Sequence, residues 1–312
     1  MVDILSIVAP VFGLITLGYV FGWRGWLSST AEQGVTEFAF HLAIPALLFK
    51  TIISADFANV SVAGVWLSFY GAVITVYVAS VFGTKFLLGR PQLDAASIAM
   101  SSMFGNAVML GIPISLTTFG PAAAAPLALV LSIHAPLLWL ISTLHANIAS
   151  RDVGSSAADI VTTLFRDLGR NPIIVGIVLG GIWRFSGLQM PEVGMKVLSL
   201  LAQAGVPAAL VALGLSLVRF EIKGQVPTLA MIVTLKLALL PLVAFFLGRY
   251  VFGLDALSLG VVTIIACAPT GANAYIFANK TGRAVNSASG AVALGTVISA
   301  LTVSVWLAFL KS

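Results

Sequence analysis

The chain has 312 residues, of which 59% are hydrophobic and 9% are charged. Soluble domains usually carry about 25% charged residues, so this composition excludes an ordinary soluble protein. The formal net charge of +5 does not indicate nucleic-acid binding, because the basic residues are scattered through short loops. Cys267 is the only cysteine, which excludes an intrachain disulfide and a cysteine-based metal site.

Apolar stretches long enough to span a bilayer follow one another along the chain. A spanning helix needs about 20 mostly apolar residues, and the pattern predicts an all-α membrane protein with ten transmembrane helices. They cover 2–22, 34–54, 62–88, 93–119, 122–146, 171–189, 193–216, 226–251, 255–279 and 285–310. The longest polar connection, 147–170, is predicted to contain a short amphipathic helix on the membrane surface.

Lysine and arginine are distributed unevenly between the two sets of loops. The loops after predicted helices 1, 3, 5, 7 and 9 contain ten of these residues, and the opposite side contains five. Because positive charge marks the cytoplasmic side of a membrane protein, both termini are expected outside.

The two halves of the chain share residues at a constant offset. An offset of 162 pairs Pro10 with Pro172, Gly18 with Gly180, Gly25 with Gly187 and Pro45 with Pro207. An offset of 161 pairs the Leu-Asp-Ala starts of helices 4 and 9. The chain therefore divides into a five-helix repeat at 1–149, a cytoplasmic linker at 150–170 and a second repeat at 171–312. An odd number of spans inverts the second copy, as in many secondary transporters.

Predicted helices 4 and 9 are interrupted in mid-span. The interruptions contain Gly105, Asn106, Gly111 and Pro113 in helix 4, and Pro269, Thr270, Gly271 and Asn273 in helix 9. Glycine and proline release backbone groups from the helical ladder, and in hydrocarbon these groups need cover from protein or water. Two facing breaks would bring half-helix N-termini together and favour an anion. Two ordinary kinks with hydrogen-bonded asparagines are the alternative.

Lys236 is the clear charge deep inside a predicted span, where charged residues are costly and usually functional. It is a candidate ligand for an anionic substrate or for the carbonyls of a broken helix, with snorkelling as the alternative. Pro45 and Pro207 are candidates for the opposite wall of this site, with simple kinks as the alternative. Asp94 and Asp255 are expected to cap the helices that they open.

Several further residues have a structural interpretation beside a functional one. Gly18 and Gly176 each begin a GxxxG pattern, which predicts close helix packing. His41 and His134 lie in predicted spans, as hydrogen-bonded packing residues or as a proton relay. The chain has no serine–histidine–acid order, HExxH or Walker motif, so no enzymatic activity, cofactor or metal site is predicted.

Three segments resemble the auxin efflux carrier family. They are the GNxxxxGIP segment at 105–113, the Asn171-Pro172 start of the second half, and Pro-Thr-Gly at 269–271 with the Tyr-Ile-Phe-Ala that follows at 275–278. The family includes plant PIN-formed transporters and bacterial permeases for malonate and malate. Plant members have a long central loop, so the short linker here favours a bacterial member in the inner (cytoplasmic) membrane.

The resemblance implies a scaffold of helices 1, 2, 6 and 7, a moving transport domain of helices 3–5 and 8–10, and usually a homodimer. Asn106 matches the family's asparagine that contacts the substrate carboxylate, and Pro113 and Pro269 match its crossing prolines. Helix 3 lacks the Asp/Lys pair of some members, so proton coupling through such a pair is not expected.

The implied function is transport of a small organic anion, such as malonate, malate or an auxin-like acid, by an elevator-type motion. The expected partners are this anion, membrane lipid and a second copy of the chain, and no nucleic acid. A sodium-coupled symporter related to bile-acid carriers is the first alternative, which sodium dependence of uptake would distinguish. A membrane receptor without transport or an intramembrane enzyme is the second alternative.

Overall fold

The computed structural model describes residues 2–54, 60–150, 166, 169–222 and 225–311. These residues are mostly helical, and their bonding includes one isolated β-bridge. The α-helices are α1 (Val2–Trp23), α2 (Ser29–Phe38), α3 (Ile44–Ser54), α4 (Val62–Phe82), α5 (Gln92–Met103), α6 (Ile112–Phe119), α7 (Ala124–Ser150), α8 (Pro172–Phe185), α9 (Glu192–Leu217), α10 (Val226–Thr234), α11 (Leu240–Phe246), α12 (Ala256–Ala266), α13 (Ala272–Thr281) and α14 (Val285–Lys311). Single π-helical turns lie at Ala39–Ala43, Gly83–Leu87, Ala107–Gly111, Leu235–Leu239 and Leu247–Val251, and a 3₁₀ turn lies at Gly120–Ala123.

Seven helical segments in the described part of the chain are long and apolar enough to cross a membrane. Large apolar side chains also point outward, such as Leu87, Phe185 and Val193, which are 81%, 85% and 75% exposed. Such a surface is stable against lipid and not against water. The prediction of an all-α, multi-pass membrane protein is therefore confirmed. The count differs from ten because predicted helices 4 and 9 are each divided and α8 has only 14 residues.

The predicted helix boundaries lie close to the observed ones in most places. The largest difference at an N-terminus is in predicted helix 2, which starts at Ser29 because the Ser28 hydroxyl accepts a hydrogen bond from the Ala31 N–H at 3.2 Å and caps the helix. The surface helix predicted within 147–170 lies largely outside the described residues.

Glycines bring two pairs of helices into backbone contact. A Cβ on Gly18 of α1 or on Gly214 of α9 would overlap main-chain atoms of the other helix. A Cβ on Gly176 of α8 would lie 2.7 Å from the Pro45 carbonyl oxygen in α3. The predicted packing role of Gly18 and Gly176 is therefore confirmed. Because α9 also packs against α3, α1, α3, α8 and α9 form one group of helices, called here the scaffold group.

The turns of the two halves recur at nearly the same spacing. Six glycines among the described residues adopt positive φ angles, which glycine tolerates because it has no Cβ. They form three pairs that are 162, 164 and 162 residues apart: Gly25 with Gly187, Gly89 with Gly253, and Gly120 with Gly282. The pairs follow the ends of α1 and α8, of the π turns after α4 and α11, and of α6 and α13. The offset of about 162 residues between the two halves of the sequence is therefore also found between the turns that contain positive-φ glycines.

The remaining helices surround α5. This helix packs against α4, α7, α10, α13 and α14, and every residue from Asp94 to Met103 is buried. The second group of helices, called here the crossing group, consists of α4–α7 and α10–α14. It contains both interrupted helices, so the interruptions are positioned by the same set of neighbours.

The two aspartates that open the interrupted helices behave differently. The Asp255 carboxylate accepts a hydrogen bond from the Ser258 N–H at 3.0 Å, so its predicted capping role is confirmed. The prediction is wrong for Asp94, whose carboxylate pairs with Arg90 at 3.0 Å and with Arg283 at 3.7 Å. Two guanidinium groups attract this carboxylate more strongly than the backbone N–H groups of its own helix do. The ion pairs join the start of α5 to the turn between α13 and α14.

Candidate functional site

α5 and α12 both end inside the protein, and the segments that follow them cross. Gly105 and Thr270 form an antiparallel bridge. The Asn106 N–H donates to the Pro269 carbonyl at 2.7 Å, and the Gly271 N–H donates to the Phe104 carbonyl at 3.0 Å. We call residues 104–106 and 269–271 the crossing. A new helical segment begins directly after each of the two segments of the crossing. The prediction that the two helix interruptions face each other, with two half-helix N-termini nearby, is therefore confirmed.

Two side chains bind carbonyl groups that the interrupted helices leave without partners. The last four carbonyls of a helix have no partner within it. The Thr270 hydroxyl donates to the Ser101 carbonyl near the end of α5 at 2.8 Å, and the Lys236 ammonium donates to the Ala266 carbonyl that ends α12 at 3.0 Å. Both side chains are only 1% exposed. The crossing thus replaces the lost helical bonds with bonds between segments, as a break inside a membrane requires.

Lys236 brings a buried positive charge to the crossing. It lies in the π turn Leu235–Leu239, and its Nζ is 3.0 Å from the position that a Cβ on Gly105 would occupy. Among the described residues its ammonium has no carboxylate partner. The carbonyl end of α12 offsets part of the charge, but an isolated charge in an apolar interior remains costly. Burial excludes the snorkelling alternative and leaves a site that favours an anion.

Asn106 is oriented by its position at the start of a helical segment. Its side-chain oxygen accepts a hydrogen bond from the Met109 N–H at 3.2 Å and caps the π turn Ala107–Gly111. With the oxygen engaged, the NH₂ group of the amide is available to a ligand. The residue is 9% exposed, so its amide lies at the edge of the buried crossing. An amide donor beside a helix N-terminus suits a carboxylate.

The other predicted residues lie at different distances from the crossing. Gly111 ends the π turn, where a Cβ would lie 3.8 Å from Ile265 of α12. Asn273 is half-buried in the first turn of α13. Pro45 packs against Gly176 in the scaffold group. Pro207, which the offset pairs with Pro45, lies in α9. This helix packs against the π turn Ala107–Gly111 beside the crossing.

The expectation that Pro113 marks a crossing is wrong, whereas Pro269 does lie in one. The helix-4 break occurs at residues 104–106, eight residues before Pro113. Pro113 lies in α6, which continues directly from the π turn Ala107–Gly111, so it lies inside the helical run that follows the break. The break in helix 4 is instead made by Gly105 and Asn106, and cross-bonds to the other segment stabilise it.

Two contributors to the crossing were not predicted as such. The Ser101 main-chain carbonyl binds Thr270, and no property of the serine side chain signals this role. His134 of α7 was expected to be a packing residue with a hydrogen bond or a relay. Its ring packs between Phe69 and Phe104, but neither ring nitrogen has a hydrogen-bond partner among the described residues. The packing is therefore confirmed and the hydrogen bond is not found there.

Thr270→Val tests whether the crossing depends on its side-chain bonds. Valine keeps the shape of threonine and leaves the buried Ser101 carbonyl without its donor, which costs about 1–3 kcal/mol. Thermal unfolding in detergent is expected to show this loss. Thr16→Val is the matched control, because the Thr16 hydroxyl donates to the Phe12 carbonyl within α1 on an exposed face. Equal stability of the two variants would contradict the role of Thr270.

Comparison with known proteins identifies a family and several similar proteins. Residues 3–307 match the family described as membrane transport protein. A Rhizobium meliloti protein named "Putative malonate transporter" is 26% identical over 100% of this chain and 97% of its own length. The Escherichia coli K12 protein named "Uncharacterized transporter YfdV" is 22% identical over 96% of this chain and 95% of its own length.

A third relative shows that the same unit occurs within a larger protein. The Mus musculus "Lysosomal cholesterol signaling protein" is 25% identical over 95% of this chain but only 36% of its own length. The family match agrees with the helical membrane fold. The chain belongs to the membrane transport protein family, which is the auxin efflux carrier family.

Proposed function

We propose that the protein is a secondary transporter that moves small organic anions across the bacterial cytoplasmic membrane. The observation that carries this proposal is the composition of the crossing. A buried lysine without a carboxylate partner among the described residues, an asparagine amide and two helix N-termini meet there. All three favour negative charge. Carboxylates such as malonate, malate or auxin-like acids have suitable chemistry, and the name of the Rhizobium relative supports a dicarboxylate.

We further propose that the chain consists of two inverted repeats of five spans, with each interrupted helix counted as one span. The similar offsets of the positive-φ glycines, 162, 164 and 162 residues, support this architecture. The contacts of α1 with α9 and of α3 with α8 support it as well, because each joins a helix of one half to a helix of the other. An odd number of spans per repeat places corresponding loops on opposite sides of the membrane.

An elevator-type motion is the transport mechanism that fits this arrangement. Both segments of the crossing, Lys236 and the helices that hold them belong to the crossing group. This group can therefore carry a bound anion as a unit past the scaffold group, which contributes the glycine-packed helices. A homodimer joined through the scaffold would keep the scaffold fixed in the membrane while the other group moves.

Cysteine labelling tests the inverted topology. In a Cys267→Ser background, Ser29→Cys lies in the first half after α1, and Ser186→Cys lies at the corresponding point after α8. Positive charge places the first loop in the cytoplasm and the second outside. A membrane-impermeant maleimide added to intact cells is expected to label only Ser186→Cys, and permeabilised cells to label both. Labelling of both from the same side would contradict the inverted repeat.

Substitutions of Asn106 test the position of the anion and the sign of its charge. Asn106→Ala removes a donor to a charged acceptor, worth about 1.5–3 kcal/mol, so binding of malonate is expected to weaken about 10- to 150-fold. Asn106→Asp keeps the capping oxygen, since Asp and Asn cap helices equally well. It places a negative charge against the anion, so binding is expected to weaken further. Isothermal calorimetry on purified protein measures both.

A second capping asparagine provides the control. Asn171 accepts a hydrogen bond from the Ile173 N–H at 3.0 Å and caps α8 in the scaffold group. Asn171→Asp makes the same chemical change away from the crossing and is expected to leave malonate binding unchanged. Unchanged affinity in Asn106→Ala would remove Asn106 from the site, and tighter ligand binding in Asn106→Asp would reassign the site to a cation.

A further inference from the structure

His134 is a buried histidine beside the crossing whose ring nitrogens make no well-aligned hydrogen bond to a described residue. It is 3% exposed. Its ring centroid lies 5.6 Å from that of Phe69 and 4.9 Å from that of Phe104, the first residue of the crossing. Both ring nitrogens are buried and lack a partner among the described residues. Buried polar groups are nearly always hydrogen-bonded, and an exception in a native structure calls for a functional explanation.

His134 and Lys236 approach the crossing at neighbouring residues. The Lys236 Nζ lies 3.0 Å from the position that a Cβ on Gly105 would occupy, and the His134 ring packs against Phe104, the residue before Gly105. Lys236 comes from the π turn between α10 and α11, and His134 comes from α7. Two positive charges in one low-dielectric site without an anion would repel each other strongly. The site without an anion is therefore stable with one of the two groups charged.

The other ionisable groups on elements around α7 do not change this balance. They are Lys50 on α3, Tyr70 and Tyr77 on α4, Asp94 on α5, Arg184 on α8, Cys267 after α12 and Lys280 on α13. Both tyrosines hydrogen-bond to α7, Asp94 pairs with arginines, and the Arg184 guanidinium binds a carbonyl of α3. Cys267 is a buried thiol, and Lys280 stacks on Trp139. Lys236 is the ionisable group that meets His134 at residues 104 and 105 of the crossing.

We propose that His134 carries a proton together with the anion, which makes the protein an anion–proton symporter. This inference rests on the proposed function, because it requires a negative charge at the crossing. An anion beside Lys236 neutralises the local charge and stabilises the protonated imidazole. When the anion leaves, the two cations repel and His134 releases its proton. The proton comes from water on one side and returns to water on the other, and only an N–H bond forms and breaks.

The coupling is reciprocal. If a bound anion favours protonation of His134, protonation must tighten anion binding by the same factor. Such couplings are commonly about 5- to 150-fold. Anion affinity should therefore rise as the pH falls through the pKa that His134 has when the anion is bound.

Calorimetry with malonate tests this directly. Measurements in two buffers of different protonation enthalpy count the protons that bind with malonate. The wild-type protein is expected to take up protons on binding, and to bind malonate more tightly near pH 6.5 than near pH 8, with the full coupling of about 5- to 150-fold as the upper limit. His134→Phe fills the slot between Phe69 and Phe104 without titrating, and His134→Gln keeps a hydrogen-bonding side chain. Both variants are expected to bind malonate without the proton uptake that is due to His134. Any uptake that remains in them comes from ionisation of malonate itself and is subtracted from the wild-type value.

His145→Gln is the matched histidine control. His145 also lies on α7, but its ring bonds to the Tyr77 hydroxyl at 2.8 Å and to the Gln92 amide at 3.1 Å. This variant is expected to retain proton uptake. In proteoliposomes, an acidic exterior should drive malonate accumulation by wild type and by His145→Gln. The His134 variants should exchange malonate across the membrane without accumulating it.

The possible failures are distinguishable. Proton uptake that persists in both His134 variants, or wild-type binding without proton uptake, would overturn the role of His134 and leave the anion site standing. Failure of the wild-type protein to bind malonate, malate and an auxin-like acid would overturn the proposed function and this inference with it.

Discussion

The structure depends on one constraint, which is that backbone N–H and C=O groups inside a membrane must be hydrogen-bonded within the protein. Two spans are interrupted at mid-depth, and each interruption would leave several groups without partners. The crossing satisfies them in pairs, through two backbone bonds between the segments and through the side chains of Thr270, Lys236 and Asn106. The hydrogen bonds that replace the missing helical bonds therefore also stabilise the polar crossing at the centre of the protein.

The same constraint gives the crossing its chemistry. A lysine that binds the carbonyl end of α12 brings a positive charge to the protein interior, and a helix that starts at Asn106 presents its N-terminus there. Structural bonding and the proposed recognition of an anion therefore use the same residues. In Asn106 the side-chain oxygen caps a helical turn, and the NH₂ group of the same amide is the proposed donor to a ligand. Substitutions at these positions are expected to change both transport and the stability of the fold. A variant such as Asn106→Asp, which keeps the structural hydrogen bond, separates the two effects.

Sequence patterns predicted the local features well and the long-range partners poorly. Apolar length predicted the spanning segments, and the proline at position 269 predicted the helix-9 break, because both depend on residues that are adjacent in the chain. The break in helix 4 was displaced toward Pro113, since the bonds that create it reach residues about 165 positions away. The burial of Lys236 was predicted, and a carbonyl of a broken helix was one of its two predicted partners, although the sequence did not identify Ala266. Asp94 was read as a cap because the arginine at 283 is distant in sequence.

The account rests on the claim that the crossing binds and moves an organic anion. Counterflow in proteoliposomes tests this most directly. Vesicles loaded with unlabelled malonate are placed in a trace of labelled malonate, and uptake is measured with other small carboxylates or organic cations of similar size as competitors. The account predicts rapid uptake that carboxylates inhibit and cations do not. Uptake no faster than in protein-free vesicles, or inhibition by cations alone, would contradict it.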